Sequence, residues 1–498
     1  MVFKVLDALR SAFLGASCWL HRPGTKGGGL PRLGALLAAA AALSVPGCAR
    51  PAASPPRPDV LLVVIDTLRA DRLGTYGYSK PTSPHIDRFA RRAVVFQQAL
   101  SPAPFTMPAM ASLMTGLYPD RTGVINHSPR DRLAPTVATL AERARAAGYQ
   151  TAAVVSNPWL ANRAMGFARG FSTYVNRFGT RRQRPSAAQV TAAASRILTR
   201  RNGRPLFLWV HYIDTHMAYR PPARFARLLA GGTRTTRIIE EFSKGGTARQ
   251  RVYFDPPFGP EEIAKTRALY DAAVRYVDRE VGRLLRAWRH RPQRRQSIVV
   301  VTADHGESLG EHGLYFAHDF TLYEELLRVP LLVRAPGVRP RREGALVSLT
   351  DLAPTLCSWM RLNCRDRFDG EPLPLASSPG AGAGRILFAA SAPMRRRYDR
   401  CPWLTVPGPD GRWTMARSAT AKVIRIPQPG GPRWLAFDLV SDPREENPLG
   451  ERDPRLVAAL QAWRETLRRS RPPRAATAAL PPETREALRS LGYLDYEN

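Results

Sequence analysis

Apolar, β-branched runs recur along the chain and alternate with longer amphipathic stretches. Asp59–Ile65, DVLLVVI, offers apolar side chains to both faces. It therefore reads as a strand covered on both sides, as in a parallel sheet packed between helices. Comparable runs occupy residues 151–155, 205–213, 297–302 and 329–333. Helical patterns fall between them, at 135–147, 186–199 and 260–288. In the last, Ile263, Leu269, Ala273, Tyr276, Val277, Val281, Leu284 and Trp288 share one face. This alternation predicts an α/β fold, a doubly wound, mostly parallel sheet spanning residues 59–379. Residues 221–259 hold many Arg, Gly and Thr without a clear period and read as a long insertion, a candidate lid. From about Gly380 the pattern shifts to short strands and turns, at 413–416, 422–426 and 434–439. A smaller C-terminal α+β subdomain with an antiparallel sheet is expected over 380–470, and a proline-rich link with a short helix over 471–498.

The amino-terminal stretch carries a different signal. Arg32 precedes the apolar residues 33–45, LGALLAAAAALSV, a run too short to span a bilayer comfortably. The run ends in Val45-Pro46-Gly47-Cys48, which resembles a bacterial lipoprotein signal with Cys48 as the first mature residue. Residues 1–48 then read as a signal segment whose cysteine takes the lipid; the alternative is an ordinary signal peptide with an incidental cysteine. Residues 49–58, ARPAASPPRP, read as a proline-rich tether. The expected location is the bacterial cell envelope, on the periplasmic side or the cell surface. Lipid on Cys48 would give membrane attachment without a spanning helix. Export implies an oxidising compartment, in which Cys357 and Cys364 either pair locally or stay as buried thiols.

Composition changes the picture at one point. A chain of 498 residues with 44% hydrophobic content can bury one large core and an appended subdomain. The formal charge of +33 is carried almost wholly by arginine; the lysines are Lys4, Lys26, Lys80, Lys244, Lys265 and Lys422. A GC-rich genome and attraction to anionic lipid, polysaccharide or nucleic acid each account for such a skew. No zinc-finger spacing, helix-turn-helix signal or aromatic stacking motif marks a dedicated nucleic-acid binder.

Ligands of open α/β sheets bind beyond the carboxyl ends of the strands. Asp66 directly follows the first strand, and Asp304 and His305 follow the 297–302 strand in TADHGE. Carboxylate and imidazole groups at two strand ends suit a hard or borderline divalent ion. Residues 106–116, TMPAMASLMTG, sharpen this. They resemble the sulfatase signature, which opens Cys (or Ser)-x-Pro-Ser-Arg and closes on a leucine followed by Thr-Gly, and share with it Pro108, Leu113, Thr115 and Gly116. VVIDTLRADRLGTYGY around Asp66 is similar to the family's first metal-binding segment, and TADHGE to its last. HYIDTHMAY, with His211, Asp214 and His216, resembles its substrate-contacting segment. Glu311, His312 and His318 sit in a stretch similar to the one holding its leaving-group residue. YDAAVRYVD, RVPLLVRAPG and FDLVSDPREENPL extend the likeness over roughly residues 58–450.

The resemblance implies an alkaline-phosphatase/sulfatase-like fold and a divalent ion held by Asp66, Thr106, Asp304 and His305. Ca, Mg, Zn and Mn are not distinguished. It also implies an anionic ester substrate, a sulfated or phosphorylated glycan or lipid. Two departures stand out. Thr106 replaces the residue that the family converts to formylglycine, with Ala109 and Met110 in place of the signature Ser and Arg, and Thr67 stands where many sulfatases carry a second aspartate ligand. A metal-activated threonine alkoxide is the nucleophile that this leaves. His216 and His318 are then expected to contact the transferring group or protonate the leaving oxygen. His211 either joins them or forms a second metal site with Asp214 and His216. His312 reads as a surface loop residue, Asp71 as a turn residue and Ser112 as a packed helix residue. Two rival readings stay open, a phospho-headgroup transferase of the same superfamily and a catalytically inactive binding lipoprotein.

Overall fold

The computed structural model describes residues 56–178, 184–200, 202–254, 258–291, 296–365, 367–375, 384–393, 411–470 and 480–490. The expected signal segment, residues 1–48, and Cys48 with it lie outside the described residues. Fourteen strands are named here in chain order: β1 Asp59–Ile65, β2 Val94–Leu100, β3 Gln150–Val155, β4 Thr173–Val175, β5 Leu206–Tyr212, β6 Ser297–Ala303, β7 Ser308–Leu309, β8 Tyr315–Ala317, β9 Leu331–Arg334, β10 Arg341–Ser348, β11 Leu387–Ala390, β12 Thr414–Arg417, β13 Ala421–Ile426 and β14 Arg433–Asp438.

The main sheet has eight strands in the order β10-β2-β9-β6-β1-β5-β3-β4. Only β9 runs against its neighbours, β2 and β6. β1 lies at the centre, paired parallel with β5 and β6. All seven of its residues are buried, because helices cover both faces and no polar face is needed. The 30-residue helix Pro260–Arg289 is the largest cover. It buries Leu269, Ala273, Tyr276, Val277, Val281, Leu284 and Trp288, while Ile263 at its outer turn is only partly buried. The helix expected over 135–147 is shorter, Leu140–Ala146, because a capping box between Thr139 and Glu142 starts it there. The stretch expected as an aperiodic insertion forms three short helices, Ala223–Leu229, Arg237–Lys244 and Gly246–Phe254.

A second, antiparallel sheet has the order β11-β12-β13-β14. Alternation along its strands divides it between two cores. Leu387, Ala389, Met415, Ile424, Leu435 and Phe437 join the main core. Ala390, Ala416, Val423 and Ala436 pack under Leu456, Leu460 and Trp463 of the helix Pro454–Ser470. Cys357 and Cys364 form a disulfide. His312, expected as a surface loop residue, is instead a tie between segments. Its ring stacks on Tyr323 at 3.7 Å, and its nitrogens meet Glu325 Oε1 and the Glu445 carbonyl, each at 3.0 Å. Asp71 pairs with Arg69 in a turn, and Ser112 is buried in its helix, as their surroundings in the sequence suggested. Among the described residues no helix is long and apolar enough to cross a membrane.

Candidate active site

The carboxyl ends of the parallel strands deliver one buried polar cluster. β1 leads directly to Asp66, β3 leads to Asn157, β5 contains His211, and β6 leads to Asp304 and His305. Thr106 opens the helix Thr106–Thr115, six residues after the end of β2. Asp66, Thr106, Asn157, His211, Asp304 and His305 are all fully buried.

The backbone sets these positions by local means. Asp66 N–H extends the β1–β5 pairing by donating to the Tyr212 carbonyl at 2.9 Å. Thr67 then takes a left-handed conformation, φ 54°, which costs a β-branched residue of order 1 kcal/mol or more. That turn aims its N–H at Asp304 Oδ1, 3.2 Å away. Thr67 Oγ1 is buried without a hydrogen-bond partner. After Asp304, a side chain at Gly306 would place its Cβ 1.9 Å from the Glu325 carbonyl oxygen, so the loop can close only with glycine there. At the far end of the Thr106 helix, Gly116 takes φ 75° and caps onto Ser112 O. Every residue of that helix is buried, so Met110 adds apolar packing where the signature arginine would have brought charge.

The side chains face one another at short range. His211 Nε2 is 3.9 Å from Asp66 Oδ2 and 3.8 Å from Asp304 Oδ2. His305 Nε2 is 3.8 Å from Asp66 Oδ1, 3.6 Å from Asp304 Oδ2 and 3.3 Å from Thr106 Oγ1. Because His305 Nδ1 donates to the Gly306 carbonyl at 2.8 Å, its Nε2 carries the lone pair turned toward the cluster. Asn157 Nδ2 donates to Asp66 Oδ2 at 2.8 Å and approaches Thr106 Oγ1 at 3.4 Å, while its Oδ1 caps the helix Pro158–Ala161 through Trp159 N–H.

A cation fits this donor set. Asp66 Oδ1, Asp304 Oδ2 and both nitrogens of His211 are buried without hydrogen-bond partners. Isolated buried charges of this kind are costly unless paired or bound to metal. Ligand atoms of Asp66, His211 and Asp304 all lie within 4.8 Å of one another, the one such grouping among the described residues. Burial and the nearby Asp304 carboxylate push Asp66 well above the usual carboxylate range. Burial also works against ionisation of Asp304, but His305 and His211 outweigh it and hold that group at about 2. Burial drives the His305 imidazole down to about 4. His211 thus lies between the carboxylates and is a candidate ligand beside His305. Asp214 turns elsewhere: its Oδ1 accepts from Ala187 N–H at 3.1 Å, outside the metal-competent grouping.

His216 and His318 form the outer wall, with ring centroids 4.9 Å apart and His318 4.7 Å from His305. His216 Nδ1 donates to the Met217 carbonyl at 2.6 Å, leaving Nε2 as its acceptor. Burial pulls His216 well below the ordinary histidine range. His318 goes the other way. Burial opposes its charge, yet Asp319 and Glu307 outweigh burial and raise it to about 9. Glu307 Oε1 meets His318 Nδ1 at 2.8 Å, and Glu307 Oε2 accepts from Tyr219 Oη at 3.2 Å. Glu307, Asp319 and Asn157 are site residues that sequence reasoning did not single out. The signal for Asn157 was its place two residues past the end of a strand.

A family model described as Sulfatase matches residues 58–362, more than half of the chain. An ulvan-active sulfatase of Formosa agariphila is 25% identical over 422 residues, 79% of this chain and 77% of its own length. A Delta 4,5-hexuronate-2-O-sulfatase of Bacteroides thetaiotaomicron is 25% identical over 464 residues, 84% of this chain and 90% of its own. Among solved structures, the phosphonate monoester hydrolase of Agrobacterium radiobacter shares the fold at a TM-score of 0.63 and 19% identity, over 83% of this chain and 95% of that one. The chain therefore belongs to the sulfatase family, within the alkaline phosphatase superfamily, and is a sulfatase-like hydrolase of ester bonds.

Proposed function

We propose that this chain is an exported, metal-dependent hydrolase of sulfate or phosphate esters that uses Thr106 as its nucleophile. The observation that carries this reading is the Thr106 hydroxyl, 3.3 Å from His305 Nε2 in a buried pocket with two carboxylates whose facing oxygens lack partners. Asp66, Asp304, His305 and His211 would hold a divalent ion with Thr106. When bound, such an ion neutralises the facing carboxylates and lowers the pKa of the hydroxyl.

The residues of the chain then divide the work. Deprotonated Thr106 Oγ1 attacks sulfur or phosphorus in line, and the bond to the leaving oxygen breaks. His318, held protonated by Glu307 and Asp319, gives its proton to that oxygen, a contribution of roughly 100- to 10,000-fold. Water then attacks the Thr106 ester, neutral His318 takes the water's proton, and Thr106 is released. His216 Nε2 and the Asn157 amide face the transferring group and fix its orientation. The relatives named for ulvan and hexuronate sulfate esters support an anionic glycan as substrate class. The lipoprotein-like ending at Cys48 supports anchoring in the bacterial envelope.

The test is a panel of nitrophenyl sulfate, phosphate monoester and phosphodiester substrates, with and without divalent ions, on the wild type and Thr106→Ala. Metal-dependent turnover lost in the variant is expected. Turnover unchanged by chelation, or absent from every member of the panel, contradicts the reading.

A further inference from the structure

A second cleft, of about 130 Å³, opens between the helices Pro84–Ala90 and Pro260–Arg289 and the edge where β6 pairs with β9. Arg88, Arg92, Arg286, Arg289 and Arg334 line it. None of these guanidiniums has an ion pair among the described residues. Its floor is apolar, with Phe89, Trp288 and Val299 buried. Burial, and then the neighbouring Arg289 and Arg92, pull the Arg334 guanidinium below its ordinary range. A volume near four waters' share of liquid, at about 30 Å³ each, suits a single phosphate group rather than a sugar chain. Guanidiniums match the oxygens of such a group in paired hydrogen bonds.

The place of the cleft in the fold is as telling as its charge. Trp288 Nε1 donates to Ser297 Oγ at 3.3 Å, and Arg291 stacks 4.0 Å over the Trp288 ring while pairing with Asp59 at 3.0 Å. Asp59 is the first residue of β1, so the cleft borders the point where the preceding chain enters the sheet. Another basic cleft, of about 680 Å³ and lined by Arg57, Arg143 and Arg361, includes that entering segment. Asp66 and the catalytic pocket lie at the other end of β1, about 23 Å away at about 3.3 Å per residue.

We propose that the five-arginine cleft docks the phosphate headgroups of anionic phospholipids, seating the amino edge of the sheet on a bilayer and turning the catalytic pocket away from it. The choice of a bilayer over a soluble polyanion rests on the proposed acyl anchor at Cys48. Even fully extended, a tether of residues 49–58 reaches only about 35 Å. The proposed chemistry at Thr106 is not involved.

The experiment uses residues 56–498, a compact unit containing both sheets. It is sedimented with phosphatidylcholine vesicles and with vesicles containing phosphatidylglycerol, at low and high salt. One variant carries Gln in place of Arg88, Arg92, Arg286, Arg289 and Arg334. A charge-matched control carries Gln in place of the exposed Arg455, Arg468, Arg469, Arg485 and Arg489. Salt-sensitive binding to the anionic vesicles is expected, weakened at least about tenfold in the cleft variant and no more than about threefold in the control. Both variants should hydrolyse a soluble test ester as the wild type does, which reports that they fold. Equal loss in both variants, equal binding to neutral vesicles, or no binding overturns the proposal. So does a cleft variant that loses affinity for a sulfated polysaccharide but keeps its affinity for vesicles. Because residues 56–498 do not include Cys48, failure of acylation would show separately, in the mass of the amino-terminal peptide of the full-length protein.

Discussion

Replacing Thr106 by alanine separates chemistry from stability more sharply than any other change. The substitution removes one hydroxyl and one methyl from a fully buried position. The hydroxyl contacts, 3.3 Å to His305 and 3.4 Å to Asn157, are long against the usual 2.9–3.0 Å, so their net contribution is small. Loss of the methyl costs about 0.8 kcal/mol, and the total about 1–2 kcal/mol. At about 2.1 cal/mol/K per residue, a folded unit of this length has an unfolding entropy near 0.9 kcal/mol/K, so Tm should fall by only about 1–2 °C. Turnover should fall at least about a thousandfold, about 4 kcal/mol in the barrier, because no other buried hydroxyl approaches His305 among the described residues. Thr106→Ser keeps the oxygen and should stay within about tenfold of wild type. Initial rates on the best ester of the panel, read beside calorimetry, decide the matter. A folded alanine variant that retains a tenth of wild-type turnover with metal bound would refute the nucleophile assignment.

The remaining predictions concern the groups around it. His318 is raised to about 9, so its proton is present through the neutral range and is lost as pH rises through about 9. The rate should therefore fall above that pH, and the stability linked to this charge should fade between about pH 6.5 and 9. Glu307→Gln should move this alkaline fall down by about one pH unit or more, as a pH–rate profile would show. Asn157→Asp keeps the oxygen that caps Pro158–Ala161 but loses the amide donor to Asp66. It should cost about a hundredfold in turnover with little change in Tm, whereas Asn157→Ala should also lose about 1 kcal/mol of stability. Breaking the Cys357–Cys364 disulfide with paired serines should cost roughly 2–3 kcal/mol by loop closure, read as a lower denaturant midpoint at unchanged turnover.

The centre of the fold was legible because its strands are buried on both faces. β1, β3, β5, β6 and β9 are continuous apolar runs, and their carboxyl ends pointed to Asp66, Asp304 and His305. The edge of the main sheet was not legible. β10 begins as Arg-Arg-Glu-Gly because an edge strand satisfies its polar side chains in solvent, so no apolar period marks it. β2 was missed because Gln97 and Gln98 interrupt its run. In the site, motif likeness found the metal-competent carboxylates, but spacing alone does not tell which imidazole turns where. His211 lies between the two carboxylates because it is a buried residue of β5, whereas Asp214, three residues later, is already past the strand and caps a helix. Asn157 and Glu307 act through hydrogen bonds to residues distant in sequence, which only the assembled sheet reveals.

The most direct measurement is the metal content of the purified protein by elemental mass spectrometry, for the wild type and for Asp304→Asn. The expected result is about one equivalent of a single divalent metal in the wild type, lost from a folded variant that is also inactive. A wild type that is active but metal-free, or an Asp304→Asn variant that keeps both its metal and its turnover, would contradict the metal centre on which the proposed chemistry stands.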